Sequence, residues 1–234
     1  MKPAFEPQAP VIVPVDTGEG FPVRRVFCIG RNYAAHAREM GSDPDRDPPF
    51  FFTKWAEAVV PPDSSPLPLA IAYPPQTGNY HYEAELVVAI GRGGHNINPR
   101  EAAAHIFGYA CGLDMTRRDL QNAAKEKGRP WDTGKNVEQS APIGLIHATH
   151  TLTTSGAITL KKNGEVMQSG NLADMIWSIA DVIAYVSRFY RLEPGDLIYT
   201  GTPEGVGPVV PGDRLNVSID GLSDLDILIA PENS

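Results

Sequence analysis

The chain has 234 residues, with 42% hydrophobic and 21% charged. That is the mix of one large globular domain with a real core. Its net charge of −8, pI near 5.2 and short basic clusters argue against a nucleic-acid partner. No apolar run approaches the ~20 residues of a membrane helix, so no membrane association is expected.

The N-terminal stretch 1–16 is Pro-rich and lacks a basic segment followed by an apolar one; no signal peptide is read there, and cytoplasmic residence is expected. The 22 Gly and 22 Pro are scattered along the chain, which suits many short strands joined by turns. Residues 23–30 (VRRVFCIG) form the first strong strand. Residues 31–41 (RNYAAHAREMG) follow as a short Ala-rich helix stopped by Gly41, and 49–54 (PFFFTK) as an aromatic strand. Residues 81–91 (HYEAELVVAIG) begin with alternation and end as a buried run. A short helix at 99–105 and a buried strand at 106–115 come next. A helix over 116–128 has Thr116 as its N-cap.

In the second half, Asn163-Gly164 between strand-like runs predicts a hairpin over 157–169. Periodicity through Leu172, Met175, Ile176, Ile179, Val182, Ile183 and Val186 predicts one helix over 171–190. Strands at 197–200, 214–220 and 225–230 close the chain. Strands and helices do not alternate regularly, so a β-rich α+β domain fits better than a doubly wound sheet. The two cysteines, Cys28 and Cys111, fall in apolar runs and read as buried thiols rather than a disulfide or a zinc pair.

Side chains two apart on a strand share a face, so Glu83 and Glu85 point the same way as their strand becomes buried. Two like charges there need compensation, and a divalent cation provides it. Asp114 ends the neighbouring apolar run, so three carboxylates and no cysteine make an all-oxygen site. That chemistry selects Mg²⁺ or Mn²⁺ over zinc. His81 shares the face and is a weaker candidate ligand. His36 and Glu39, three apart on a helix, have the spacing of an imidazole oriented by a carboxylate. The loop after Gly41 gives that helix loose flanks, as in a lid. The glycine-rich run 201–207 (GTPEGVG) reads as a tight turn aiming backbone N–H groups at an anion. An acidic protein with an anionic substrate must supply positive charge locally.

Taken together, GRNYAAHAREMG (30–41), YEAELVVAIG (82–91), GLDMTRRDLQ (112–121), RPWDTGKNVEQSAPIG (129–144) and GDLIYTGTPEGVGPVVPGD (195–213) resemble the fumarylacetoacetate hydrolase superfamily over nearly the whole chain. Within it, the sequence is most similar to the bacterial fumarylpyruvate-cleaving subgroup. The resemblance implies the mixed β-sandwich roll of the fumarylacetoacetase C-terminal domain, as an N-terminal extension (1–22) and one catalytic domain (23–234). It also implies a homodimer and one Mg²⁺ or Mn²⁺ per site, held by Glu83, Glu85 and Asp114. His36 and Glu39 then activate water, Lys135 is the active-site lysine, and Arg31, Arg118, Gln121, Thr200 and Gly201 contact a small oxo acid. The implied reaction is hydrolysis of a C–C bond in a 2,4-dioxo acid, fumarylpyruvate giving fumarate and pyruvate. Acylpyruvate hydrolysis, oxo-acid decarboxylation, hydratase or isomerase chemistry on related oxo acids, and a silent metal-binding interaction module are the alternatives. One departure is Trp55 after Lys54, where the family commonly has proline.

Overall fold

The computed structural model describes residues 3–39, 48–62 and 68–232. Two sheets dominate. The six-stranded sheet runs, edge to edge, His147–Ala148, Ile106–Leu113, Ala84–Ile90, Asp196–Tyr199, Arg25–Gly30 and Phe50–Lys54. All its pairs are antiparallel except Asp196–Tyr199 with Arg25–Gly30. The five-stranded sheet orders Glu165–Asn171, Ala157–Lys162, Arg214–Ile219, Leu225–Ala230 and Leu69–Ala72.

Alternation along the strands explains how the layers stack. Ala84, Leu86, Val88 and Ile90 face the main core together with Phe27, Ile29, Leu160, Val217 and Ile227, between the two large sheets. Val87 and Ala89 face a second core with Val26, Cys28, Leu197 and Tyr199. The six-stranded sheet is therefore apolar on both sides. Residues 1–22, expected as an extension, contribute the paired strands Ile12–Pro14 and Gly20–Pro22, whose Val13 and Phe21 join that second core. Both cysteines are buried and free. Burial raises both thiols, Cys111 to about 12. No described helix is long and apolar enough to cross a membrane.

The helices are α1 (Ala34–Glu39), α2 (Arg118–Glu126), α3 (Asp132–Lys135) and α4 (Ile179–Phe189). Gly41, the predicted stop for α1, and residues 42–47 of the predicted lid flank lie outside the described residues. Three predicted elements differ from the structure. The strand expected over 81–91 is two, Tyr80–Tyr82 and Ala84–Ile90, because the first pairs with Gly207–Val209 and Thr116–Arg117 in a separate small sheet. The helix expected from Thr116 starts at Arg118. Thr116 instead lies in the short strand Thr116–Arg117, its hydroxyl hydrogen-bonded to the Asp114 carbonyl and Lys135 Nζ. The helix expected over 171–190 is a 3₁₀ turn, Leu172–Asp174, followed by α4. Two competing contacts divide it. Asn32 holds both backbone groups of Trp177, and Ser178 and Asp181 form a capping box that starts a new helix. The hairpin is as read: Asn163 and Gly164 have φ of 53° and 90° between paired strands, the geometry of a type I′ turn.

Candidate active site and metal centre

Antiparallel pairing brings the three carboxylates together. Ala84 pairs with Leu113 and Glu85 with Gly112, and the Asp114 N–H donates to the Glu83 carbonyl at 2.9 Å. Glu83 and Asp114 thus sit side by side where their strands end, with Glu85 two residues in. All three are buried, Glu85 to 1% exposure, and one ligand oxygen from each lies within 4.8 Å of the others.

Three cations among the described residues surround them. Lys135 Nζ donates to Glu83 Oε2, Asp114 Oδ2 and Thr116 Oγ1, each at 2.7 Å. Arg118 donates to Glu83 Oε1 and, at 2.6 Å, to Gln121 Oε1. Lys54 Nζ lies 2.8 Å from Asp114 Oδ1, an ion pair without a hydrogen-bonding angle, and donates to the Met115 and Ser140 carbonyls and the Ser140 hydroxyl. Burial alone would raise the Glu83 carboxyl, but Lys135 and Arg118 outweigh it and hold its pKa low. Burial also penalises the Lys135 ammonium; Asp114 and Glu83 more than restore it. Glu85 differs, because among the described residues it takes part in no ion pair. Its Oε2 accepts the Gly201 N–H at 2.8 Å, and burial, then Asp114 and Glu83, push its pKa well up. The anion met by the glycine-rich turn is therefore the protein's own carboxylate. Gly201 takes φ of 99°, and a Cβ there would lie 2.7 Å from Asn32 Cβ.

These observations fit a hard divalent cation. The donors are all oxygen. The Lys135 ammonium already stands between Glu83 and Asp114 as a monovalent stand-in, while Glu85 makes no ion pair among the described residues. His81 is outside the cluster. Its Nε2 meets Asn79 Oδ1 at 2.8 Å, and burial, with Arg118 nearby, lowers its pKa to about 4.

A cleft opens onto the carboxylates, lined also by Arg31, His36, Arg118, Gln121 and Lys135. His36 is buried in α1, with Nδ1 3.1 Å from Glu39 Oε2. Asn32 fixes the start of that segment by donating to the Trp177 and Thr200 carbonyls. Gly134 lets α3 approach α2, since a Cβ there would meet Gln121 N at 2.8 Å, and this close fit sets the position of Lys135. Thr200 does not line the cleft: its hydroxyl donates to the Leu86 carbonyl, and Thr202 lines the wall instead. Sequence reasoning missed Lys54, Thr116, Thr202 and the ring wall of Phe50, Phe52 and Trp131. For Lys54 and the rings the signal was alternation in FFFTK, which puts Phe50, Phe52 and Lys54 on one face. Trp55 is 53% exposed, and its backbone N–H donates to Asn136 Oδ1 at 2.8 Å. A proline there would have no such donor, so the departure at this position ties the strand end to the residue after Lys135.

Residues 25–229 match the family model described as fumarylacetoacetate (FAA) hydrolase C-terminal. A fumarylpyruvate hydrolase of a Ralstonia species is 46% identical over 183 residues, covering 78% of this chain and 93% of the relative. An oxaloacetate tautomerase of Escherichia coli is 38% identical over 208 residues, covering 87% and 91%. The crystal structure of fumarylpyruvate hydrolase from Pseudomonas aeruginosa in complex with Mn²⁺ and pyruvate superposes with a TM-score of 0.93 and 51% identity, covering 99% of this chain and 100% of that one.

Proposed function

This chain belongs to the fumarylacetoacetate hydrolase family, and on that premise we propose that it hydrolyses fumarylpyruvate to fumarate and pyruvate. The observation that carries this reading is one cleft joining three converging carboxylates, a buried lysine and a carboxylate-backed histidine. The Ralstonia and Pseudomonas relatives support the substrate.

Glu83, Glu85 and Asp114 would hold one Mg²⁺ or Mn²⁺, which supplies Lewis-acid polarisation of the 2-oxo acid and offsets charge on the departing enolate. The remaining chemistry belongs to side chains. Glu39 accepts from His36 Nδ1 and so leaves Nε2 to act as base. His36 removes a proton from the water that adds to C4. The Lys135 ammonium stabilises the oxygen that becomes negative there. Its donors are engaged by Glu83, Asp114 and Thr116 in this structure; with the carboxylates holding a cation, these donors would be free for that oxygen. The C3–C4 bond then breaks: its electron pair stays with C3, which is protonated to give pyruvate, and the acyl group leaves as fumarate. Arg118 and Gln121, linked to each other and to Glu83, orient the substrate, as does Arg31. The Thr200-Gly201 turn acts through Glu85 and Leu86. The catalytic unit is residues 23–234.

A panel of fumarylpyruvate, acetylpyruvate and oxaloacetate tests the reaction class. His36→Ala is expected to lower hydrolysis by about 10²- to 10⁴-fold while leaving any tautomerisation of oxaloacetate, which needs no added water, much less affected. Full hydrolytic activity in His36→Ala would remove the base from the reaction. The reading also includes a cytoplasmic homodimer. Phe189 and Tyr190, 58% and 43% exposed beside Phe51, support an apolar contact between copies. Light scattering on the eluted protein is expected to give twice the 25.3 kDa chain mass; the mass of one chain would exclude the dimer.

A further inference from the structure

We propose that Arg31 and Lys125 form an anion clamp at the outer end of the cleft, selecting 2,4-dioxo acids whose acyl group ends in a second carboxylate. The proposal rests on the hydrolase reading and adds the recognition of the substrate's other end.

Four cationic side chains among the described residues line the cleft: Arg31, Arg118, Lys125 and Lys135. Arg118 and Lys135 pair with Glu83 and Asp114 at the inner end. A row of rings runs between Lys135 and Arg31. Phe50 and Phe52 are two apart on one strand, hence on one face about 7 Å apart. Trp131 packs against both, with ring centroids 5.4 Å from Phe50 and 5.9 Å from Phe52. The Lys135 ammonium lies 5.1 Å from the centre of Phe52, and the Arg31 guanidinium 5.3 Å from the centre of Phe50. The row therefore has the reaction-centre lysine at one end and Arg31 at the other.

Helix α2 leads to the same outer end. Arg118, Gln121 and Lys125 are spaced i, i+3 and i+7, so they share one face. Arg118 and Gln121 are buried and Lys125 is exposed, so that face runs from the carboxylates out to the rim. Arg31 follows Gly30, which pairs with Phe50, and has φ of 57°, a left-handed conformation that a side chain bearing Cβ adopts only at a cost. The ring contact places its guanidinium over Phe50.

A fumaryl group matches this arrangement. Its conjugated chain is flat and can lie along the ring wall. Its terminal carboxylate then reaches two cations, one of them a guanidinium suited to paired carboxylate contacts. An acetyl group supplies nothing to that end.

The test compares fumarate with crotonate, which replaces the far carboxylate by a methyl group, by calorimetry on Mn²⁺-loaded protein. The wild type is expected to bind fumarate about tenfold more tightly. Lys125→Gln and Arg31→Gln each reduce the preference, and the double variant brings the two affinities within about twofold. In parallel, the double variant is expected to lose far more kcat/KM on fumarylpyruvate than on acetylpyruvate. A wild type that binds both acids equally or neither, or a double variant that keeps the preference, overturns the clamp. If neither dioxo acid is turned over while the fumarate preference is intact and lost in the double variant, the clamp stands and the assigned reaction falls.

Discussion

Lys135→Ala is expected to lower kcat on fumarylpyruvate by about 10²- to 10³-fold, the usual loss when a single oxyanion donor is removed. The lysine is buried at the end of α3, whose close fit against α2 through Gly134 sets its position before substrate arrives. Removing it also strips a positive charge from between Glu83 and Asp114, which favours a bound cation electrostatically. Activity and metal affinity should therefore move in opposite directions: kcat collapses while Mn²⁺ binds at least as tightly as in the wild type. That split separates a role in the reaction from one in merely holding the carboxylates apart. Steady-state kinetics with a Mn²⁺ titration reads both quantities, and a kcat within threefold of the wild type would exclude Lys135 from stabilising the oxyanion.

Glu85→Gln should separate metal binding from folding. The substitution keeps the shape and an oxygen to accept the Gly201 N–H while removing a charge buried beside two others. Without metal, the variant is expected to be more stable than the wild type by about 1 kcal/mol, or about 2–4 °C in Tm for a chain of this size. With metal the order reverses. At 100 times Kd a cation stabilises the wild type by about 2.7 kcal/mol, or roughly 5–10 °C, and the variant loses most of that gain. Thermal unfolding with and without Mn²⁺ measures both effects. An undiminished Mn²⁺ shift in Glu85→Gln would rule out this carboxylate as a ligand.

What the sequence made legible was whatever depends on local periodicity. Alternation placed Glu83 and Glu85 on one side, and that survived the break of their strand at Glu83, because Tyr82 and Ala84 on either side of it both face the main core. Asn163-Gly164 specified its hairpin without help from the rest of the fold. The errors lie where distant contacts override local preference. Nothing near Trp177 says that Asn32 will hold its backbone and divide a long helical pattern. Thr116 has the chemistry of an N-cap, but its hydroxyl is claimed by Lys135 and the Asp114 carbonyl. Lys54 looked like the end of an aromatic strand, and only the tertiary structure brings it to Asp114. Charge pattern identified the acidic half of the site; the cations that balance it come from three separate segments and show no common spacing.

The pairing of Ala84–Ile90 with Ile106–Leu113 has a consequence for how this fold can vary. Because Glu85 lies opposite Gly112 and Asp114 beside Glu83, sliding one strand past the other by a single position would move Glu85 away from its companions. Inserting one residue just before Leu86 would instead invert every side chain upstream, sending the carboxylate into the oily layer meant for Leu86 and Val88. The strands themselves therefore tolerate length changes only in steps of two.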